Sequence, residues 1–323
     1  MSWSRPATLR RKTPEKPSLI DSAAGETGGK LLESNIMSKM KTPIPAMLLA
    51  ALPVALSAQW PDYPSGKVPK SPDGKPNLEA PAPRTADGRP DLSGVWSFRG
   101  RIGQPIPGFP NGGLPPGPPP PPEPPSSGPP AATFFNVGAG FKEGLPLRPA
   151  AAELLKQRSA EHSKDNPDAH CLPIGLMQLH THPQPRKIIQ TPGVIVILFE
   201  AQAGVRQILT DGRPLPVSGV QPWWYGYSIG KWDGDTLVVE TTGFRDDVWL
   251  DVNGSPLTES GKMTERFRRP NYGTLEIEIT FEDPKVYTKP FTVKVTQRIM
   301  PDTELIEFVC AENEKSVPHL VGK

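Results

Sequence analysis

Between Thr274 and Phe281 the chain alternates cleanly: Leu275, Ile277, Ile279 and Phe281 fall on one side, Glu276, Glu278 and Thr280 on the other. A period of two marks a strand with one face buried and one in water. The same reading predicts strands across Leu92–Phe98, Val194–Phe199, Val205–Thr210, Tyr225–Trp232, Asp235–Thr242, Met263–Arg269, Phe291–Ile299 and Glu304–Cys310. Asp233-Gly234 sits between two of these runs and predicts a two-residue hairpin. Pro149 opens a short helix through about Ser163, ended by Asn166-Pro167.

Eight or nine strands, most joined by short turns, predict a mainly β chain folded as an antiparallel barrel. One short helix precedes the main strands. A barrel of about eight strands is either filled by its own side chains or holds one small ligand.

The front of the chain follows other rules. Met40 to Trp60 has a basic start, an apolar run over Pro43–Leu56 and a small residue, Ala58, at a cleavage point. This is the pattern of an export signal, and the run is too short for a stable bilayer span. Residues 37–58 are therefore read as a signal peptide, and 1–36, which lack an apolar period, as a non-native or disordered extension. Residues 59–90 form an irregular linker, and 91–323 a single barrel domain interrupted by a proline-rich insertion over 104–130. That insertion carries 14 prolines and predicts an exposed, extended, disordered loop. The expected location is the periplasm or the cell exterior, with no stable membrane span once the signal is removed.

Composition changes this picture in two places. Residues 1–41 hold 8 of the 36 Lys and Arg but only 4 of the 34 Asp and Glu, so the remainder is net −2. A nucleic-acid partner loses its electrostatic basis. The two cysteines, Cys171 and Cys310, predict a disulfide in an oxidising compartment.

Gly94-x-Trp96 on the first strand resembles the Gly-x-Trp signature of lipocalin-type barrels. A closer resemblance is to a widespread family of exported bacterial proteins. It rests on Pro90-Asp-Leu-Ser-Gly-Val-Trp96, Trp232-Asp-Gly-Asp-Thr-Leu-Val-Val239, Thr264-Glu-Arg-Phe-Arg-Arg269 and Asp283-Pro-Lys-Val-Tyr-Thr-Lys-Pro290. This second resemblance implies no particular activity. Leu257 and Lys262 stand where many similar sequences place histidines, so any metal or proton-transfer role of those histidines is missing here.

The candidate chemistry is sparse. If Met263 and Phe267 face the core, so does Glu265, and Arg206 shares a face with Ile208. A buried carboxylate needs a partner, so an internal Glu265–Arg206 pair is expected, either structural or anchoring a polar ligand head. Trp96, Trp224, Tyr227 and Trp249 are the candidate walls of a pocket; such clusters line apolar pockets or carbohydrate platforms, and also ordinary cores. His180 and His182, with His170 nearby, form a weak zinc candidate weighed against an exposed loop or edge before Pro183; no cofactor is predicted. Glu265 and Asp211 are the candidate acids or bases for an enzyme. No phosphate-binding, dinucleotide or nucleophile-elbow motif occurs. The expected function is binding of a small, partly apolar ligand. The alternatives are a secreted hydrolase or isomerase using an inward carboxylate, and a structural envelope protein with a filled barrel. Oligomeric state has no signature in the sequence.

Overall fold

The computed structural model describes residues 68–100, 128–216, 219, 221–310 and 312. The expected signal peptide and N-terminal extension, the start of the expected linker and most of the proline-rich insertion lie outside them. The protein is mainly β. Nine strands close a barrel: β1 (Gly94–Phe98), β2 (Arg186–Thr191), β3 (Val194–Phe199), β4 (Val205–Leu209), β5 (Tyr227–Asp233), β6 (Thr236–Thr242), β9 (Lys262–Arg268), β10 (Thr274–Glu282) and β11 (Phe291–Ile299). The short strands β7 (Val248–Trp249) and β8 (Pro256–Leu257) pair separately, between β6 and β9 in the chain.

Closure comes from β1, which pairs with β11 on one side and β2 on the other. The register carries one inward face around the ring. Glu265 stands opposite Ile279 and Val239, Arg206 opposite Ile197, and Trp96 opposite Arg186 and Ile299. The predicted alternation of β10 holds: Leu275, Ile277, Ile279 and Phe281 are fully buried. Each such side chain contributes about 1.5–3 kcal/mol by leaving water. Asp233-Gly234 makes the predicted hairpin between β5 and β6, with Gly234 at φ +58°, where a side chain would be strained.

Four expectations need correction. The barrel is not wholly antiparallel, because β4 and β5 run parallel. The connection over residues 210–226 is long enough for the crossover a parallel pair requires. Residues 304–310 form no strand. The sheet is closed by the β1–β11 and β1–β2 pairings, so it has no vacant edge for them to join. The helix α1 (Pro149–Ala160) stops three residues before Ser163, and a second helix, α2 (Leu176–Thr181), lies where His180 and His182 were placed on an edge strand or loop.

All six residues of α2 are buried. Leu, Met and Gln favour helix, and the turn ends at His182, whose extended backbone (ψ 138°) is what a following proline imposes. The helix sits at the barrel end where β6 finishes and β2, β5 and β9 begin. Gly175, at its start, lies so close to Trp249 that a Cβ there would meet the Trp249 carbonyl oxygen at 2.4 Å. Gln178 Nε2 also donates to that carbonyl, at 3.1 Å. The opposite end is covered by the segment around Leu78, where the Gly273 and Tyr272 amides donate to the carbonyls of Leu78 and Ala80, both at 2.7 Å. No helix among the described residues is long and apolar enough to cross a membrane.

Candidate functional site

Two separate polar–aromatic assemblies emerge. The first is inside the barrel. Strand alternation turns Glu265 and Arg206 inward, and the register brings them together with Ser228 and Thr241. Glu265 Oε1 accepts from Arg206 Nη1 at 2.9 Å and faces His180 Nε2 at 2.7 Å; Oε2 accepts from Arg206 Nη2. Arg206 also donates to Thr241 Oγ1 at 3.0 Å and to Ser228 Oγ at 3.1 Å. Glu265 is 0%, His180 1% and Arg206 2% exposed. Burial alone would raise the Glu265 pKa, but the charge and hydrogen bonds of Arg206, with the His180 contact, hold it down at about 2. Burial pushes His180 down, against the pull of Glu265. A neutral imidazole donating Nε2–H to an ionised carboxylate follows.

The end of α2 is held by the same interior. Arg186 Nη1 donates to the His180 carbonyl at 2.8 Å and Nη2 to the His182 carbonyl at 3.3 Å. These are carbonyls a helix C-terminus leaves without partners, and a cation is favoured there. Burial lowers Arg186 to about 9. The network therefore bolts the plug α2 to the barrel wall. Every oxygen of Glu265 is already taken, and the carboxylate is ionised and enclosed. In this arrangement Glu265 is neither accessible nor protonated, as a general acid would need.

The second assembly is a cleft of about 340 Å³ on the outside, between α1, the turn at Pro167–Leu172, Trp224 and Trp249. Trp249 is only 3% exposed, whereas Trp224 is half-buried. The cleft mouth carries exposed apolar groups, Leu154 at 37% and Leu172 at 46%. Arg158 lies 4.3 Å over the Trp249 ring and donates Nη1 to the Gly254 carbonyl at 2.7 Å. Arg245 lies 4.5 Å over Trp224 and pairs with Asp247 at 2.8 Å. Burial lowers the Arg158 pKa, opposed by Asp165 and Asp251.

The predicted residues are thus divided. Glu265 and Arg206 meet in the core, and Trp224 and Trp249 meet in the cleft. Trp96 joins neither: it is fully buried, donates Nε1–H to the Leu92 carbonyl at 3.0 Å and lies under Arg269. Tyr227 packs on Trp223 with ring centres 6.1 Å apart and accepts from Arg213 at 3.4 Å. Asp211 is exposed, and hydrogen bonds from Arg213 hold its pKa below the usual carboxylate range. The three histidines diverge. His180 faces Glu265, His182 meets Phe134 edge-on at 5.1 Å, and the His170 ring bonds to the Lys164 carbonyl at 2.9 Å. Among the described residues no three His, Cys, Asp or Glu side chains converge as metal ligands. Cys171 and Cys310 form the expected disulfide, tying the tail beside the cleft residue Leu172.

Comparison with protein-family models, with curated proteins and with solved structures gave no match. Sequence reasoning missed His180 as the third member of the core network and Arg158, Leu154 and Leu172 as cleft residues. Arg158 had one faint signal: a basic residue in the last turn of a helix whose only buried residue is Ala151.

Proposed function

We propose that this chain is an exported barrel protein that binds a small, partly apolar ligand, and that the ligand occupies the cleft beside α1. The observation that carries this reading is the pairing of Trp224 and Trp249 with polar groups around an open space of about 340 Å³. Sites for small ligands run from about 300 to 1,000 Å³ and combine apolar walls with a few polar groups. The barrel interior is a poorer candidate, because α2 plugs one end and the polar groups inside are already paired in the Glu265 network. The Cys171–Cys310 disulfide supports an oxidising, exported setting.

The test is calorimetric titration of the full oxidised chain with probes of three charge types: neutral disaccharides, benzoate and benzyltrimethylammonium. Saturable binding of any one at millimolar concentration, abolished in Leu154→Trp, supports the cleft. Leu154 is exposed on α1, so the larger ring enters the cleft without disturbing the core. Binding of none of them overturns the reading.

A further inference from the structure

We infer that the ligand of the cleft is a neutral carbohydrate, mono- or disaccharide in size. The inference rests on the cleft being the binding site. It comes from the way the charges there are already matched. Three carboxylates line the space, Glu161, Asp165 and Asp247, against one cation, Arg158. Taken alone, that count suggests a cationic ligand. Yet two of the three carboxylates have a counter-charge supplied by the protein. Glu161 pairs with Lys164 at 3.1 Å and Asp247 with Arg245 at 2.8 Å, which leaves Asp165 and Arg158 as one anion and one cation facing the same space, so the formal charges at the cleft sum to zero. Hydrogen bonds from Gln157 and Lys164 hold Glu161 below its ordinary pKa, and Arg245 does the same for Asp247. Both therefore stay ionised as acceptors.

A charged ligand fares poorly in such a place. An anion would meet three carboxylates, and a cation would compete with arginines already lying on the two indoles. What remains unused is hydrogen-bonding capacity of both kinds. An ionised carboxylate has about four lone-pair directions, and a guanidinium five N–H donors. Arg158 spends one donor on Gly254, and Gln157 one on Glu161. Hydroxyl groups donate and accept, so they can use carboxylate, amide and guanidinium together without adding charge. The exposed Leu154 and Leu172 side chains supply apolar surface for the C–H face of a sugar ring, beside the Trp224 indole that borders the cleft under Arg245. The cleft lies at the small end of the range for ligand sites, which limits the ligand to about one or two rings.

The full oxidised chain would be titrated with cellobiose, maltose, xylobiose and N,N′-diacetylchitobiose, beside benzoate and benzyltrimethylammonium. At least one disaccharide is expected to bind saturably, about 10-fold or more tighter than either charged aromatic. Its affinity should be insensitive to salt, because no net charge is exchanged. Trp224→Ala and Leu154→Trp should each weaken it at least about 10-fold. Trp224 also packs on the core, so Leu154→Trp, which removes nothing buried, guards against a folding artefact. If a charged aromatic binds more tightly than every sugar and Leu154→Trp abolishes it, the carbohydrate inference falls and the cleft stands. If nothing binds, or if sugar binding survives Leu154→Trp, both fall.

Discussion

Replacing Glu265 by Gln keeps the size and shape of the side chain and removes one charge. Arg206 would then be a buried cation held only by the neutral hydroxyls of Ser228 and Thr241 and by an amide oxygen. Removing one partner of a buried ion pair costs about 3–5 kcal/mol, because the other charge is left uncompensated. Total stability for a domain is about 5–15 kcal/mol, so the variant should lose a large fraction of it. Guanidinium chloride unfolding of the oxidised full chain at pH 7 would show this as a lower midpoint with an unchanged slope.

The size of the gap should also depend on pH, with a definite sign. Glu265 has a folded pKa of about 2, against about 4.3 for a free glutamate. Its folded form is thus favoured when ionised. The stability it contributes is fully present above about pH 4.3 and is lost as pH falls through about 2. A shift of roughly two units corresponds to about 3 kcal/mol. Glutamine has no proton to gain, so the wild-type and variant curves should converge on acidification. Substituting the whole network by apolar groups, as His180→Leu, Arg206→Met and Glu265→Leu together, should cost far less than the single change, since no charge is stranded. A Glu265→Gln variant within about 1 kcal/mol of wild type at pH 7, or a gap that does not narrow toward pH 2, would refute the buried pair as the bolt that holds α2.

Other consequences can be checked separately. Burial lowers His182 to about 4, against about 6.5 unfolded, so its contribution is present above pH 6.5 and lost as pH falls through about 4. Urea unfolding should show about 2–3 kcal/mol of acid loss between pH 7.5 and 4.5 that His182→Gln removes. Gly175→Ala should cost about 1–3 kcal/mol, read as a lower melting temperature, because its methyl group would push α2 away from the Trp249 carbonyl. For the Cys171→Ser, Cys310→Ser variant, the chain-entropy figure of about 4–5 kcal/mol is an upper bound. Beyond Met300, whose amide bonds to the Val95 carbonyl at 2.8 Å, the described tail is otherwise held by the Lys187–Glu304 pair and by the Ile306 amide on Glu200, so it can undock alone. Limited proteolysis should cut the variant after Met300 while the barrel stays intact; simultaneous loss of the barrel would contradict this.

Eight of the nine wall strands were legible because each has an inside and an outside; β2 (Arg186–Thr191) is absent from the strands that the pattern predicts. Met263 and Phe267 on either side of Glu265, and Ile208 beside Arg206, show which way those charged side chains turn, and the register then makes them partners. The cleft was not legible in the same way. Its lining comes from stretches near residues 154–172, 224 and 247–249, and no local period links them. Two further misreadings mark the limits of that signal. A period reports the boundary between core and water, and it is silent where that boundary is missing. The helix α2 has no solvent side, so six buried residues ahead of a proline carry no helical period to distinguish them from a loop. The segment Glu304–Cys310 has the opposite fault. Its pattern resembles a strand and leaves Ile306, Phe308 and Val309 partly exposed, but a strand also needs an unpaired edge. Here β1 has already joined β2 to β11, so that pattern has no sheet to complete, and the disulfide rather than a ladder of hydrogen bonds keeps the tail beside the cleft.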